Sequence, residues 1–253
     1  MSGTTGISVL LLARDETASL EELIPQLGFA AECVVVVDAE APNPTSRAAE
    51  RLGARVFLRK LDGFGAQRGF ALNQCRGEWV LWIDADERLA PGGAQALVAA
   101  TRQTAAGFRL ARHTWFLGNR IRFCGWRGER VLRLFRRERG RFDDAPVHET
   151  IHVEGPVEDL DVALEHHSYP DWAACRDKLV RYAAAGAARA RAEGRTASVL
   201  DVVLRPPLRF LRMYVLQLGF LDGAHGLLLC GLAAAQVFLR TAELWAVPRA
   251  EGR

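Results

Sequence analysis

Two carboxylates set one residue apart, Asp84 and Asp86, close an apolar, β-prone run that begins at Trp79. On an extended chain residues i and i+2 point to the same side. The spacing therefore predicts both carboxylates facing one point just past the strand's C-terminal end, the edge where open α/β sheets bind ligands. Two hard, anionic oxygen donors there suit Mg²⁺ or Mn²⁺ already carrying a diphosphate. The competing expectation is a strand that simply runs into an acidic turn, because Asp-x-Asp alone is a weak motif.

The preceding elements must place that edge. Residues 7–12 form a continuous apolar run that leads into Arg14-Asp15-Glu16, and a second run, 33–37, stops at Asp38. A third short strand is expected at 55–57 and the fourth at 79–83, with helical segments at 20–27, 46–52 and 67–75 between them. Continuous apolar strands alternating with helices predict a parallel sheet covered on both faces. Strands ending at Leu12, Val37 and Ile83 all finish in polar or acidic residues. That convergence at one sheet edge is the architecture of a nucleotide site. Farther on, a helix is expected at 93–104 and alternating strands at 108–113 and 131–136. Period two there puts Leu132 and Leu134 on one face and Arg133 and Phe135 on the other. Between those strands lies an aromatic and basic segment that holds Trp115, Arg120, Arg122, Phe123 and Trp126.

A chain of 253 residues can bury the core of one α/β domain with extensions. Its net charge of +3 gives no electrostatic case for a nucleic-acid partner. Five scattered cysteines without a Cys-x-x-Cys pair argue against a disulfide framework or zinc site and fit a reducing compartment. No basic-then-apolar signal segment opens the sequence, so a cytoplasmic chain is expected.

After Trp172 the composition turns to helix formers rich in arginine. Residues 213–239 lack Arg and Lys but contain Gln217, Asp222, His225 and Gln236, and the longest unbroken apolar run, 226–235, is well short of the ~20 residues needed to span a bilayer. Two short helices lying in a membrane interface beside lipid-facing arginines are expected. The alternative is a helical hairpin packed on the chain's own core or on a second subunit.

Taken together, these residues resemble the family 2 glycosyltransferases, inverting enzymes of the GT-A fold, and within them the lipopolysaccharide core β-1,4-glucosyltransferase type. The matching features are Arg14-Asp15-Glu16, Asp38, the stretch Gly63-Phe64-Gly65-Ala66-Gln67-Arg68 with Ala71-Leu72-Asn73, and the Asp84-Ala85-Asp86-Glu87-Arg88 block. Later ones are Phe116-Leu117-Gly118, Gly125-Trp126, Leu132-Arg133-Leu134-Phe135-Arg136, Val147-His148-Glu149, His167-Ser168-Tyr169 and Gly219-Phe220-Leu221-Asp222-Gly223. Two departures stand out. Asp38-Ala39-Glu40-Ala41-Pro42-Asn43 replaces the usual Asp-Ser-Gly-Ser-Thr-Asp, and Arg127-Gly128-Glu129 follows Gly125-Trp126 where Tyr-Pro-Asp is common. The first bears on the donor and the second on the acceptor.

The resemblance implies a mixed, mainly parallel GT-A nucleotide-diphospho-sugar transferase fold over residues 1–170, with a nucleotide-sugar half (1–90) and an acceptor half (91–170). A helical extension over 171–253 would face membrane or subunit. It implies transfer of a hexose, glucose by the nearest type, from a UDP-sugar to a lipid-linked cell-envelope glycan such as the lipopolysaccharide inner core. The work would be done peripherally at the cytoplasmic face of a bacterial inner membrane. Asp86 would coordinate Mg²⁺ or Mn²⁺, and Asp84 would share the metal or hold ribose or base. Asp38 would accept from the pyrimidine and Glu16 from the ribose, while Arg68 and Arg133 would add charge near the phosphates. Spacing alone makes Glu149 a solvated loop residue; the resemblance makes it the general base, with Asp144 the alternate. His148 is a third metal ligand or a packed loop histidine, and His166 and His167 are expected to be structural. Trp126 is the acceptor-binding candidate. The competing classes are a metal-dependent nucleotidyltransferase and a non-catalytic carbohydrate- or membrane-binding protein of the same fold.

Overall fold

A computed structural model describes residues 6–143 and 151–250. The chain divides into two compact units, Met1–Arg112 with Glu129–His166, and His113–Gly128 with His167–Arg253.

In the first unit, β1 (Ile7–Ala13) pairs in parallel with β2 (Glu32–Val37) on one side and β4 (Trp79–Trp82) on the other, and β3 (Arg55–Leu58) extends the sheet beyond β2. Helices α1 (Thr17–Leu23), α2 (Pro44–Arg51) and α3 (Phe64–Gln74) make the crossovers. After β4 come β5 (Glu87–Leu89), α4 (Gly93–Ala100), β6 (Gly107–Phe116), β7 (Asn119–Arg120), β8 (Arg130–Arg136), β9 (Gly140–Phe142), β10 (Ile151–Val153) and β11 (Val157–Tyr169). The main sheet runs β3-β2-β1-β4-β8-β6-β11-β5, with β7 hairpinned to β6 and β9–β10 forming a separate antiparallel pair. The four strands at one end are parallel, and β8 meets β4 antiparallel.

The apolar strands are covered on both faces, as their unbroken runs require. Val9, Leu11, Val35, Val37, Leu81 and Ile83 pack toward Leu20 and Leu23 of α1, Ala49 of α2 and Leu97 of α4. Leu10, Val34, Val36, Val80 and Trp82 pack toward Ala71 and Leu72 of α3 and toward Phe135. In this unit the expected strands and helices form, with ends shifted by a few residues.

The expected alternation in β8 does not hold. Phe108 pairs with Leu134 but Arg109 pairs with Leu132, so Arg133 is the extra residue of a β-bulge. Leu134 therefore joins the core on the α1 side, while Leu132 packs with Phe135 on the α3 side.

The second unit holds α5 (Trp172–Ala192), α6 (Val199–Leu211), a π-helical turn at Arg212–Leu216 and α7 (Gly223–Ala250). The expectation of two short helices after 213 is corrected here, since α7 is one continuous helix of 28 residues. Gly219–Val247 is long and apolar enough to cross a bilayer, with mean hydropathy 1.5. Two glycines of this segment, Gly219 and Gly226, permit close approach of backbone, while Gly223 takes a left-handed φ of 61° at the start of the helix. A Cβ on Gly226 would collide with the Gly219 carbonyl oxygen, so the first turn of α7 closes directly on the preceding segment. Asp222, unsuited to hydrocarbon, accepts the backbone N–H groups of Arg122 and Phe123 at 3.0 and 2.9 Å. Arg191 of α5 meets Glu243 of α7 at 3.1 Å, which ties α7 to its own unit.

Candidate active site

The C-terminal ends of β1, β2, β3 and β4 lie side by side, and each delivers polar residues. After β1, Glu16 turns its carboxylate back onto the N–H groups of Arg14 and Asp15, stiffening its own loop. After β2, Asp38 accepts the Leu61 N–H at 2.8 Å and lies 3.7 Å from the Arg14 guanidinium. The loop after β3 is fixed by Arg59, which forks onto Asp62 at 2.8 and 2.7 Å and bonds the buried Gln67 of α3. Gln67 in turn donates to the Arg59 carbonyl at 2.9 Å.

Beyond β4 the chain does not stay extended. Glu87 N–H donates to the Asp84 carbonyl at 3.0 Å, and the Asp84 N–H donates to the Glu87 carboxylate at 3.1 Å, which closes a turn over 84–87. Asp84 and Asp86 thus leave the i, i+2 relation expected of them. Asp84 faces two arginines: Arg133 Nη2 reaches Oδ2 at 2.7 Å, Arg68 Nη2 reaches Oδ1 at 3.3 Å, and the Trp82 indole N–H adds a bond at 3.2 Å. Asp86 faces the other way in chemical terms, with His166 Nε2 3.4 Å from Oδ2. His166 comes from β11, directly opposite Glu87 in the strand register.

Arg133 is the hub. It also holds Glu87 at 2.6 Å, its side chain is only 3% exposed, and Glu87 is fully buried. The bulge in β8 turns it onto these carboxylates, and both Arg133 and Arg68 lie 4.2 Å from the centroid of Trp82. Arg88 anchors the turn from the far side through the Ala85 and Ser19 carbonyls and Glu22.

Electrostatics separate the two neighbouring acids. Burial by itself would raise the Asp84 carboxyl, but Arg133 and Arg68, with bonds from Arg133 and Trp82, hold it well below the usual carboxylate range. Burial pushes Glu87 upward, and the charge on Asp84 adds to that against the pull of Arg133. Burial also works against the Arg133 cation, yet Glu87 and Asp84 keep it firmly protonated. With 31% of its side chain open, Asp84 presents a fixed, ionised carboxylate at the sheet edge, underpinned by two buried cations.

These placements sort the expected site residues. Glu16, Asp38, Arg68, Asp84, Asp86 and Arg133 belong to the first unit. Arg68 and Arg133 lie beneath Asp84, 10% and 3% exposed, and are turned to carboxylates rather than to open solvent. Trp126 belongs to the second unit, where it lines a cavity of about 110 Å³ with Tyr169, Lys178, Tyr182 and Arg209. Asp144, His148 and Glu149 lie outside the described residues, in the connection between β9 and β10. The base of that connection is placed: Phe142 meets Trp82 edge-on at 5.2 Å, and Ile151 pairs with Phe142.

Among the described residues no three His, Cys, Asp or Glu side chains converge as a metal cage. The donor set still fits a divalent ion that arrives with phosphate oxygens and water, because such ions need only one or two protein carboxylates. Asp86 with His166 suits that part, whereas Asp84 Oδ1 already accepts from Arg68 and Trp82 and Oδ2 from Arg133, which leaves Asp84 room for one further hydrogen bond rather than for a metal. Glu87, His166, Trp82 and the Arg59–Gln67 pair are the members that residue spacing did not reveal. Glu87 is adjacent to the motif, but its burial is not readable from sequence, and His166 lies 80 positions away from Asp86.

The model of the glycosyl transferase family 2 matches residues 17–153, more than half of the chain. A lipopolysaccharide core biosynthesis glycosyltransferase, LpsC of Rhizobium meliloti, is 28% identical over 93% of each chain. An uncharacterized glycosyltransferase of Rickettsia bellii is 38% identical over 34% of this chain and 29% of its own. The crystal structure of S. aureus TarS 1-349 aligns over 98% of this chain and 92% of its own, at 14% identity and a TM-score of 0.44, too loose a likeness to argue from. The matched span takes in the acidic turn, both of its arginines and the helix and strand that carry them, and the chain belongs to glycosyltransferase family 2, with a GT-A-type mixed sheet and C-terminal helices.

Proposed function

We propose that this chain is a metal-dependent inverting glycosyltransferase that moves a hexose, glucose by its resemblance, from a UDP-sugar to a cell-envelope glycan such as the lipopolysaccharide inner core. The reading is carried by one observation, the ionised Asp84 held by Arg133 and Arg68 at the parallel-strand edge, one turn from the Asp86–His166 pair. The full-length similarity to LpsC supports the envelope acceptor. The place of work that goes with that acceptor is the cytoplasmic face of the inner membrane.

In this reading Asp84 accepts a hydrogen bond from the donor's ribose or base, and its arginines keep it charged and in place at no reorganisation cost during reaction. Asp38 and Glu16 complete the nucleoside side, each already braced by backbone N–H groups. A divalent ion, held by Asp86 with His166, would neutralise the departing diphosphate. The acceptor hydroxyl attacks the anomeric carbon as the bond to the diphosphate oxygen breaks, and its proton passes to a carboxylate, which we assign to Glu149.

The test is calorimetric titration of UDP with and without Mn²⁺, on the native protein and on Asp86→Ala. Mn²⁺-dependent binding abolished by the substitution is the expected result. UDP binding that ignores both Mn²⁺ and the substitution would overturn the metal assignment. Release of a nucleoside diphosphate from a nucleotide sugar, rather than pyrophosphate from a triphosphate, separates this class from a nucleotidyltransferase.

A further inference from the structure

Helix α6 is apolar on two sides. Its inward side, Val202, Pro206 and Phe210, is partly buried in its own unit, and Phe210 packs on the cluster around Met213 and Cys230. Its outward side carries Leu200, Val203, Leu204, Pro207, Leu208 and Leu211, a spacing of i, i+3, i+4, i+7, i+8 and i+11 that defines one continuous stripe. Five of these six are 51–68% exposed, and no residue of α6 is fully buried. Beside the stripe runs a second row, Arg205, Arg209 and Arg212, again at i, i+4 and i+7. Among the described residues, Arg205 alone of these arginines has a carboxylate close by, Asp201 at 2.7 Å. The apolar surface continues past the helix through Val215, Leu216, Phe220 and Leu221, all 46% exposed or more.

An outward leucine stripe edged by arginines is the pattern of a helix lying in a bilayer interface, with leucines among acyl chains and guanidinium groups at the phosphate level. A second copy of the same face offers no anionic row to meet the arginines. We propose that α6 and the turn after it dock this protein on the surface of a bilayer that contains anionic phospholipid, in plane and without crossing it. Helix α7 packs along α6 and is held to α5 by the Arg191–Glu243 pair. This deepens the membrane-surface part of the proposed function and does not depend on which sugar is transferred.

The test is flotation of the full-length protein with vesicles of phosphatidylcholine alone or with added phosphatidylglycerol, across a salt series. Binding should need the anionic lipid and fall as salt rises. Arg205→Gln/Arg209→Gln/Arg212→Gln should weaken the partition on the order of a hundredfold. Leu204→Glu/Leu208→Glu should abolish binding, whereas Leu227→Glu/Leu228→Glu on α7 should leave it intact. UDP titration of each variant reports whether the first unit is folded, so a failure here is distinct from a failure of the catalytic reading. Salt-insensitive binding to neutral vesicles, loss only with the α7 variant, or a dimer in light scattering that Leu204→Glu splits would each overturn the proposal.

Discussion

Replacing Arg133 with Met tests whether one buried cation organises the site. The substitution keeps much of the volume but removes the charge wedged 2.6 Å from Glu87 and 2.7 Å from Asp84. Charge centres roughly 4 Å apart attract by ~4 kcal/mol at an effective dielectric of ~20, so two pairs give ~8 kcal/mol. Against this stands the several kcal/mol needed to desolvate the guanidinium. Water screens the Asp84 share, since 31% of that side chain is open, so the fully buried Glu87 dominates. The expected loss is therefore that of breaking a buried pair, ~3–5 kcal/mol at neutral pH. In a chain of this size it would lower Tm by about 6–20 °C.

The pH dependence carries the sharper content. In the variant Glu87, already pushed upward by burial and by Asp84, loses the cation that opposes that push, so its folded pKa rises further above the unfolded one. Asp84 keeps Arg68 and Trp82 and loses only part of its depression. A carboxyl raised like Glu87 favours the folded state below the unfolded pKa and costs stability as pH rises through the folded value. The deficit of Arg133→Met should thus be greatest near neutral pH and narrow toward about pH 5. Urea denaturation across that range measures it, and adding Glu87→Gln should recover part of the loss in a double-mutant cycle. A deficit below ~1 kcal/mol, or one of constant size across that range, would falsify the assignment of Arg133 as the cation that holds these acids.

Glu149→Gln should bind UDP normally yet transfer sugar ~10²–10⁴-fold more slowly in single-turnover assays, and an unchanged rate would remove it from the base role. Asp222→Ala should cost ~1–3 kcal/mol by stranding the Arg122 and Phe123 N–H groups, seen as faster amide exchange at 122–124. Burial pushes the Cys33 and Cys75 thiols up to about 12, so at neutral pH both should resist alkylation until the protein unfolds, as read by mass spectrometry.

The parallel half of the sheet was legible because its signal is local and redundant. Each strand is a run dominated by apolar residues, each run leads into a polar residue, and each crossover has a helix pattern. Burial on both faces then follows without knowing which helix covers which face. The C-terminal region was misread for the opposite reason. Gly219 and Gly226 in sequence look like breaks, and whether such glycines interrupt a helix or let it close on its neighbour depends on contacts that no local pattern encodes. Asp222 is similar. A lone acid is costly in hydrocarbon, yet this one sits just before the apolar helix and caps a loop about 100 positions earlier.

At the site, the residue types were readable and their partnerships were not. Asp84, Asp86, Arg68 and Arg133 were all named from spacing and resemblance, but two backbone events decide what each one does. The turn at 84–87 separates the carboxylates, and the bulge at Arg133 re-aims a strand residue onto one of them. Each event needs the other. Without the bulge, Arg133 would follow the pleat and leave Glu87 buried against Asp84 with like charges adjacent; without the turn, Glu87 would not lie within 2.6 Å of the guanidinium. Sequence periodicity assumes an unbroken strand and hides both events. A run of period-two residues with one arginine at an apolar register, facing an acidic turn on the neighbouring strand, is therefore better read as a candidate bulge than as ordinary alternation.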